Sequence, residues 1–117
     1  MIGLTLALML VAPQDTPVWE KIESGDAAVA IEISGLRAEG DLQYLDVRVS
    51  APGGTQAIVV AVVMNCKAGT SHLAGDGTLY IDGKVDKVVP TPSQYLEDQS
   101  NQGDPIAEPL AAHLCAK

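Results

Sequence analysis

Gln56–Cys66 reads QAIVVAVVMNC, the longest β-branched run in the chain after its apolar N-terminal stretch. Its shortness, its Val and Ile content and the Gly53-Gly54 pair before it predict a strand rather than a buried helix. A strand apolar on both faces is central in a sheet and covered on at least one side. The run ends in Cys66, and the only other cysteine is Cys115, close to the C-terminus. We expect the two to be joined, tying the middle of a sheet to the last element of the chain. Two alternatives stay open on the residues alone: a pair of free buried thiols, and a zinc site drawn from Cys66, His72, His113 and Cys115. The zinc set lacks a Cys-x-x-Cys or His-x-x-x-His spacing, and positions 113 and 115, two apart, do not face each other on a helix.

The strands to either side follow from period-two alternation. In Ala27–Ser34, Val29, Ile31 and Ile33 point one way and Ala28, Ala30, Glu32 and Ser34 the other. In Leu42–Ser50, Leu45, Val47 and Val49 point inward and Tyr44, Asp46 and Arg48 outward. Gly35–Asp41, with two glycines and three charges, reads as a loop, and Ala51–Thr55 as a turn. Val18–Glu23 reads as a short edge strand with Trp19 covering one end of the core, followed by a turn at Ser24-Gly25-Asp26. Beyond Cys66, Ser71–Leu79 reads as an irregular or bulged strand that becomes regular at Thr78–Asp82. Asp82-Gly83 suits the positive φ angles of a type I′ hairpin, so Lys84–Val89 is the returning strand, stopped by Pro90-Thr91-Pro92. Ser93–Gln102 is polar and aperiodic and reads as a surface loop.

Asp104–Cys115, DPIAEPLAAHLC, has an N-cap candidate in Asp104 and proline at the first helical position. Ile106, Leu110 and Leu114 form one apolar stripe, flanked by Ala107 and Ala111. Pro109 conflicts with a regular start, so we expect a distorted first turn and a regular helix from about Glu108. The fold class is therefore α+β: an antiparallel sheet of about five to six strands with a C-terminal helix packed on one face.

The 117 residues suit one domain, placed at 18–117. With one Trp, three Tyr and no Phe, the core is aliphatic and gains more from a covalent staple. Residues 1–12, with the apolar run IGLTLALMLVA, are too short to span a bilayer and read as a signal peptide, though no Lys or Arg precedes the run. Residues 13–17, PQDTP, are a connector. A net charge of −8 disfavours nucleic acid and anionic membrane surfaces as partners, and no stable membrane insertion is expected once the leader is removed.

The groups able to carry chemistry do not assemble into a motif. Ser71, His72 and Asp76 lack the strand-to-helix elbow of a serine nucleophile. Asp76, Asp82 and Asp86 lack the spacing of a calcium loop, and turns use Asp for their own hydrogen bonds. Glu97-Asp98 reads as a solvated pair and His113 as a boundary residue on a helix. The glycines at 53, 54, 75 and 77 are isolated turn residues, not a phosphate loop. We expect no cofactor, no metal and no catalytic residue.

Trp19, the VVMNC of Val62–Cys66, Tyr80 with Asp82-Gly83-Lys84, and Gly103–Cys115 occur in an order that resembles the small bacterial surface-adhesin protein E family, over roughly Val18–Cys115. That resemblance implies an antiparallel sheet with a packed helix, a Cys66–Cys115 disulfide, and an exported periplasmic, cell-surface or secreted protein without enzymatic activity. It also implies a protein partner, of extracellular-matrix type among characterised members. The chain differs in carrying Pro109 within the helix and in having no lipoprotein cysteine after the leader. The expected function is a non-enzymatic, adhesin-like binding or structural module of the cell envelope. The alternatives are a small extracytoplasmic enzyme or enzyme inhibitor, the latter using Ser93–Gln102 as its inhibitory loop, and a cytosolic domain whose leader is its first strand.

Overall fold

The structure, a computed structural model, describes residues 18–23 and 29–115. The leader, the connector and the turn expected at 24–26 lie outside the described residues. Within them the chain forms eight strands and one α-helix. The strands are β1 (Glu20–Ile22), β2 (Ala30–Glu39), β3 (Leu42–Ser50), β4 (Gln56–Asn65), β5 (Thr70–Leu73), β6 (Gly77–Ile81), β7 (Lys84–Val89) and β8 (Gln99–Ser100); the helix is α1 (Ala107–Cys115). All strand pairs are antiparallel, in the order β1-β2-β3-β4-β5-β8, with β6 also against β4 and β7 against β6. The α+β expectation holds, with more strands than the five to six expected.

β4 is central, as its composition requires. β3 pairs with its whole length, from Ser50↔Ala57 to Leu42↔Asn65. Its other edge is shared: β5 takes Val62–Asn65 and β6 takes Gln56–Val59. Three steps along β4, from Val62 to Val59, are matched by five along the partner, from Leu73 to Thr78. Two extra residues are thus accommodated at Ala74-Gly75-Asp76, where Gly75 takes φ 134°. The expected irregular strand is therefore two strands end to end, and the sheet forks there. Asp82 (φ 53°) and Gly83 (φ 81°) make the tight turn between Ile81 and Lys84, as their sequence predicts.

The loop expected at Gly35–Asp41 is a correction. β2 continues through it to Glu39 and turns only at Gly40-Asp41. The register shifts between the Ser34↔Asp46 and Arg37↔Tyr44 pairs, one residue being extra on β2, and Gly35 sits there with φ 67°. A glycine in the left-handed region is what a bulge of this kind uses. Gly35 therefore bends a continuing strand rather than ending it.

Alternation then divides the side chains between two faces. On one face Ile31 and Ile33 of β2, Leu45 and Val47 of β3, and Val62 and Met64 of β4 are buried against Leu110 and Leu114 of α1; Ile31 and Met64 are fully inaccessible. Ile106 and Ala111 pack at the margin of this cluster. Asp104 Oδ1 accepts from the backbone N–H groups of Ile106 (2.9 Å) and Ala107 (2.8 Å), so it caps the helix as its type suggests. Pro105–Ile106 is a turn and the regular helix starts at Ala107, one residue earlier than expected. Pro109 falls close enough to this end that only one backbone donor is lost.

Cys66, just past β4, is bonded to Cys115 at the end of α1, with a Cα–Cα separation of 5.5 Å across 49 residues of chain. Gln43 Nε2 of β3 adds a hydrogen bond to the Leu114 carbonyl (3.3 Å), so the end of the helix is held by a covalent and a polar contact together. Replacing both cysteines by serine is expected to lower the unfolding free energy by about 4 kcal/mol, the chain-entropy value for a loop of this size, measured by urea titration of the oxidised wild type and the variant. Asp104→Ala is expected to cost about 1 kcal/mol in the same measurement.

Candidate functional site

The face of the sheet opposite α1 has no helix over it among the described residues. Its floor is the other half of β4: Ala57, Val59, Ala61 and Val63, alternating with the core-facing Ile58, Val60, Val62 and Met64. Polar and aromatic residues of the flanking strands share this face by register. Arg48 of β3 lies opposite Glu32 of β2 and Val59 of β4, and Tyr80 of β6 lies opposite Ala57. Glu20 and Ile22 of β1 pair with Ile33 and Ile31 and so face the helix, leaving Trp19 to the open side.

Trp19 thus differs from expectation. It does not close the end of the core; it stands on the open face, where the Arg48 guanidinium lies over its ring at 4.4 Å. Arg48 Nε also donates to Glu32 Oε1 at 2.9 Å. The guanidinium is fixed by a ring on its flat side and a carboxylate at Nε, and its Nη hydrogens are not spent on that carboxylate. A cleft of about 500 Å³ opens beside it, lined by Trp19, Glu32, Arg48, Ser50, Ala57 and Tyr80. Further along β4 the pattern repeats. Arg37 lies over the Tyr44 ring at 4.4 Å and pairs with Glu39, and a smaller hollow of about 220 Å³ lies against Tyr44, Asp46, Ala61 and Val63. The chain's two arginines and three of its four aromatic residues meet on this face.

The helix side carries a second opening. α1 covers one end of the sheet, and beside it a pocket of about 450 Å³ is lined by Val49, Val60, Leu73, Tyr95, Ile106 and Leu110, among others. Its outer wall comes from Ser93–Gln102, expected as a surface loop. That segment contains a 3₁₀ turn at Ser93–Leu96 and the two-residue β8, and it is fastened inward by Asn101, which is buried. Asn101 Oδ1 accepts from Ser71 Oγ at 2.7 Å, its Nδ2 contacts Met64 Sδ at 3.2 Å, and its backbone N–H donates to the Gly69 carbonyl at 3.0 Å. A lone Asn in a polar stretch gives no periodic signal, so the sequence did not mark it as buried.

Residues singled out as chemical candidates are kept apart. Ser71 is held by Asn101, His72 Nδ1 lies 2.8 Å from Asp98 Oδ1, and Asp76 Oδ1 accepts from the Thr91 backbone N–H at 3.1 Å. Glu97 and Asp98 are both exposed, as expected, and Asp98 in addition meets His72. His113 Nε2 lies 3.3 Å from Glu20 Oε2, joining α1 to β1. Cys66 and Cys115 are consumed in the disulfide. Among the described residues no group of three or more His, Cys, Asp or Glu is placed to hold a metal ion, and no helix is long and apolar enough to cross a membrane.

No protein-family model, curated protein or solved structure matches the chain.

Asn101→Ala is expected to cost about 1–3 kcal/mol, because Ser71 Oγ keeps its place in the wall and loses its acceptor, read from thermal or urea unfolding. Glu32→Gln, at a part-buried pair, is expected to cost about 1 kcal/mol or less, with a change in Trp19 fluorescence as the guanidinium is released from one of its two holds.

Proposed function

We propose that the protein is a non-enzymatic, exported module of the cell envelope that binds another protein through the open face of its sheet. The observation that carries this reading is the gathering of Trp19, Tyr44, Tyr80, Arg37 and Arg48 on one helix-free face around an apolar floor. Trp, Tyr and Arg are the residues in which binding energy concentrates at protein interfaces, because each joins a large contact area to a polar end. Both arginines are already held by a ring and a carboxylate, so little side-chain entropy is lost when a partner docks.

Charge agrees with this. Across β1–β4 the open face presents Lys21, Arg37 and Arg48 against Glu32, Glu39 and Asp46, a balanced set on a chain of net charge −8. A protein surface is a better match for such a face than a polyanion. The Cys66–Cys115 disulfide fits an oxidising, extracytoplasmic location, and the apolar run at 2–12 fits an export signal. The resemblance to the surface-adhesin protein E family supports the same compartment and a periplasmic, surface or secreted role.

A photo-crosslinking residue at position 80, and one at the exposed position 112 of α1 as control, tests the reading in intact cells of the source organism. The expected result is a crosslinked protein from position 80 and none from 112, in the envelope or secreted fraction. The Trp19→Ala, Arg48→Ala double variant is expected to reduce that product at least tenfold. Crosslinks confined to position 112, or protein found only in the cytoplasm with both cysteines alkylatable without reductant, would overturn it.

A further inference from the structure

We infer that the pocket beside α1, on the face opposite the one assigned above, binds a single hydrocarbon chain carried by a neutral or cationic amphiphile. Nine helical residues span about 14 Å, while the ten residues of β4 span about 33 Å. α1 therefore covers less than half of β4 in any orientation. The exposure along β4 records this: Met64 is fully buried, Val62 is 6% exposed and Ile58, on the same face, is 39% exposed. Val49 and Val60 lie between these extremes, and both belong to the pocket floor.

The uncovered floor is walled. Ile106 and Leu110 and, from the 3₁₀ turn, Tyr95 border a half-open hollow of about 450 Å³. That volume lies within the range of about 300–1,000 Å³ typical of small-molecule sites, which are apolar inside with a few polar groups at the edge. An alkyl chain entering it meets Val47, Val49, Val60 and Val62 and brings no polar group that would be left without a partner there. The walls are set in advance. Tyr95 belongs to the segment fastened by Asn101 to Ser71 and Met64 and by Asp98 to His72.

Charge selects the head group. No Lys or Arg is among the residues lining the pocket; its one carboxylate is Asp104, and Tyr95 and His72 also border it, His72 from a strand position paired with Val63 of the opposite face. Asp104 caps α1 and His72 faces Asp98. A carboxylate or phosphate there would meet the Asp104 carboxylate, which already accepts the Ile106 and Ala107 N–H groups at the start of α1, with no Lys or Arg among the lining residues and on a chain already at −8. A hydroxylated or cationic head meets Gln99, Ser100 and Asp104 without that opposition.

The test uses oxidised, isotopically labelled protein and three single-chain probes below their micelle concentrations: decyl maltoside, decyltrimethylammonium and decanoate. Methyl resonances of Val49, Val60, Leu73, Ile106 and Leu110 report the site. Decyl maltoside and decyltrimethylammonium are expected to shift these methyls saturably and to bind at least tenfold more tightly than decanoate. Val60→Phe, which fills the floor, is expected to weaken both at least tenfold, while Val59→Phe, the same change on the opposite face, leaves them within twofold. If Val60→Phe does not fold, Ile106→Ser on the wall is expected to weaken both at least threefold. The inference is overturned if no probe moves these methyls, as when residues 1–17 or a second copy already fill the slot. It is equally overturned if decanoate binds as well as the neutral chain, or if Val59→Phe weakens binding as much as the pocket variant.

Discussion

One covalent bond fixes the relation between the sheet and the only helix seen in the described residues. Cys66 follows directly on the central strand, and Cys115 closes the helix that covers that strand's buried half. The core it secures is built from Ile, Val, Leu and Met, side chains that bury less area each than aromatic rings. α1, at nine residues, is shorter than a helix that persists alone in water. Its position therefore depends on what holds it: the disulfide and Gln43 at its end, Leu110 and Leu114 along its length, Asp104 at its start. The bond acts where this short element most needs an anchor, at the end furthest from its cap.

The helix, so placed, divides the sheet into surfaces with different chemistry. One half of one face is core. The other half of that face is an aliphatic slot with polar edges. The opposite face is broad, aromatic and balanced in charge. These surfaces arise from the same strands through alternation: Val60 and Val59 are neighbours in the chain and lie on opposite faces. β4 thus contributes the floor to each of them, which accounts for a run that is apolar at almost every position, beyond what one buried face requires.

Much of this was legible in the sequence, for local reasons. Alternation in Leu42–Ser50 defined β3 and its inward set, Asp82-Gly83 defined the β6–β7 turn, and the spacing of Ile106, Leu110 and Leu114 defined the face of α1. What escaped depended on contacts distant in sequence or on glycines with two meanings. Gly35 and Gly40 look alike in the chain, yet one bends β2 and the other ends it. Trp19 is apolar enough to be assigned to the core, but the register of β1 turns it to the open side, where Arg48 provides the contact. β8 is two residues long, and its pairing with Thr70-Ser71 leaves no periodic trace. Asn101 is buried because Ser71 and Met64 meet it from elsewhere in the chain. The strand count rose above expectation because an irregular strand proved to be two and because this brief pairing has no signature.

The fork at Ala74–Asp76 has a mechanical consequence. The part of the sheet near Cys66 is locked between the helix and its cross-link, whereas the β6–β7 ribbon pairs with the first residues of β4, with one more bond from the Asp82 N–H to the Thr55 carbonyl, and almost all of β7 is solvated. Such an arrangement makes two cooperative units of unequal rigidity within one domain. Amide protons of the ribbon should trade with solvent through small local openings that leave the locked half intact. Because Tyr80 rides on the ribbon, the width of the cleft beside Arg48 is set by the looser unit, and the protein has a soft jaw against a firm one.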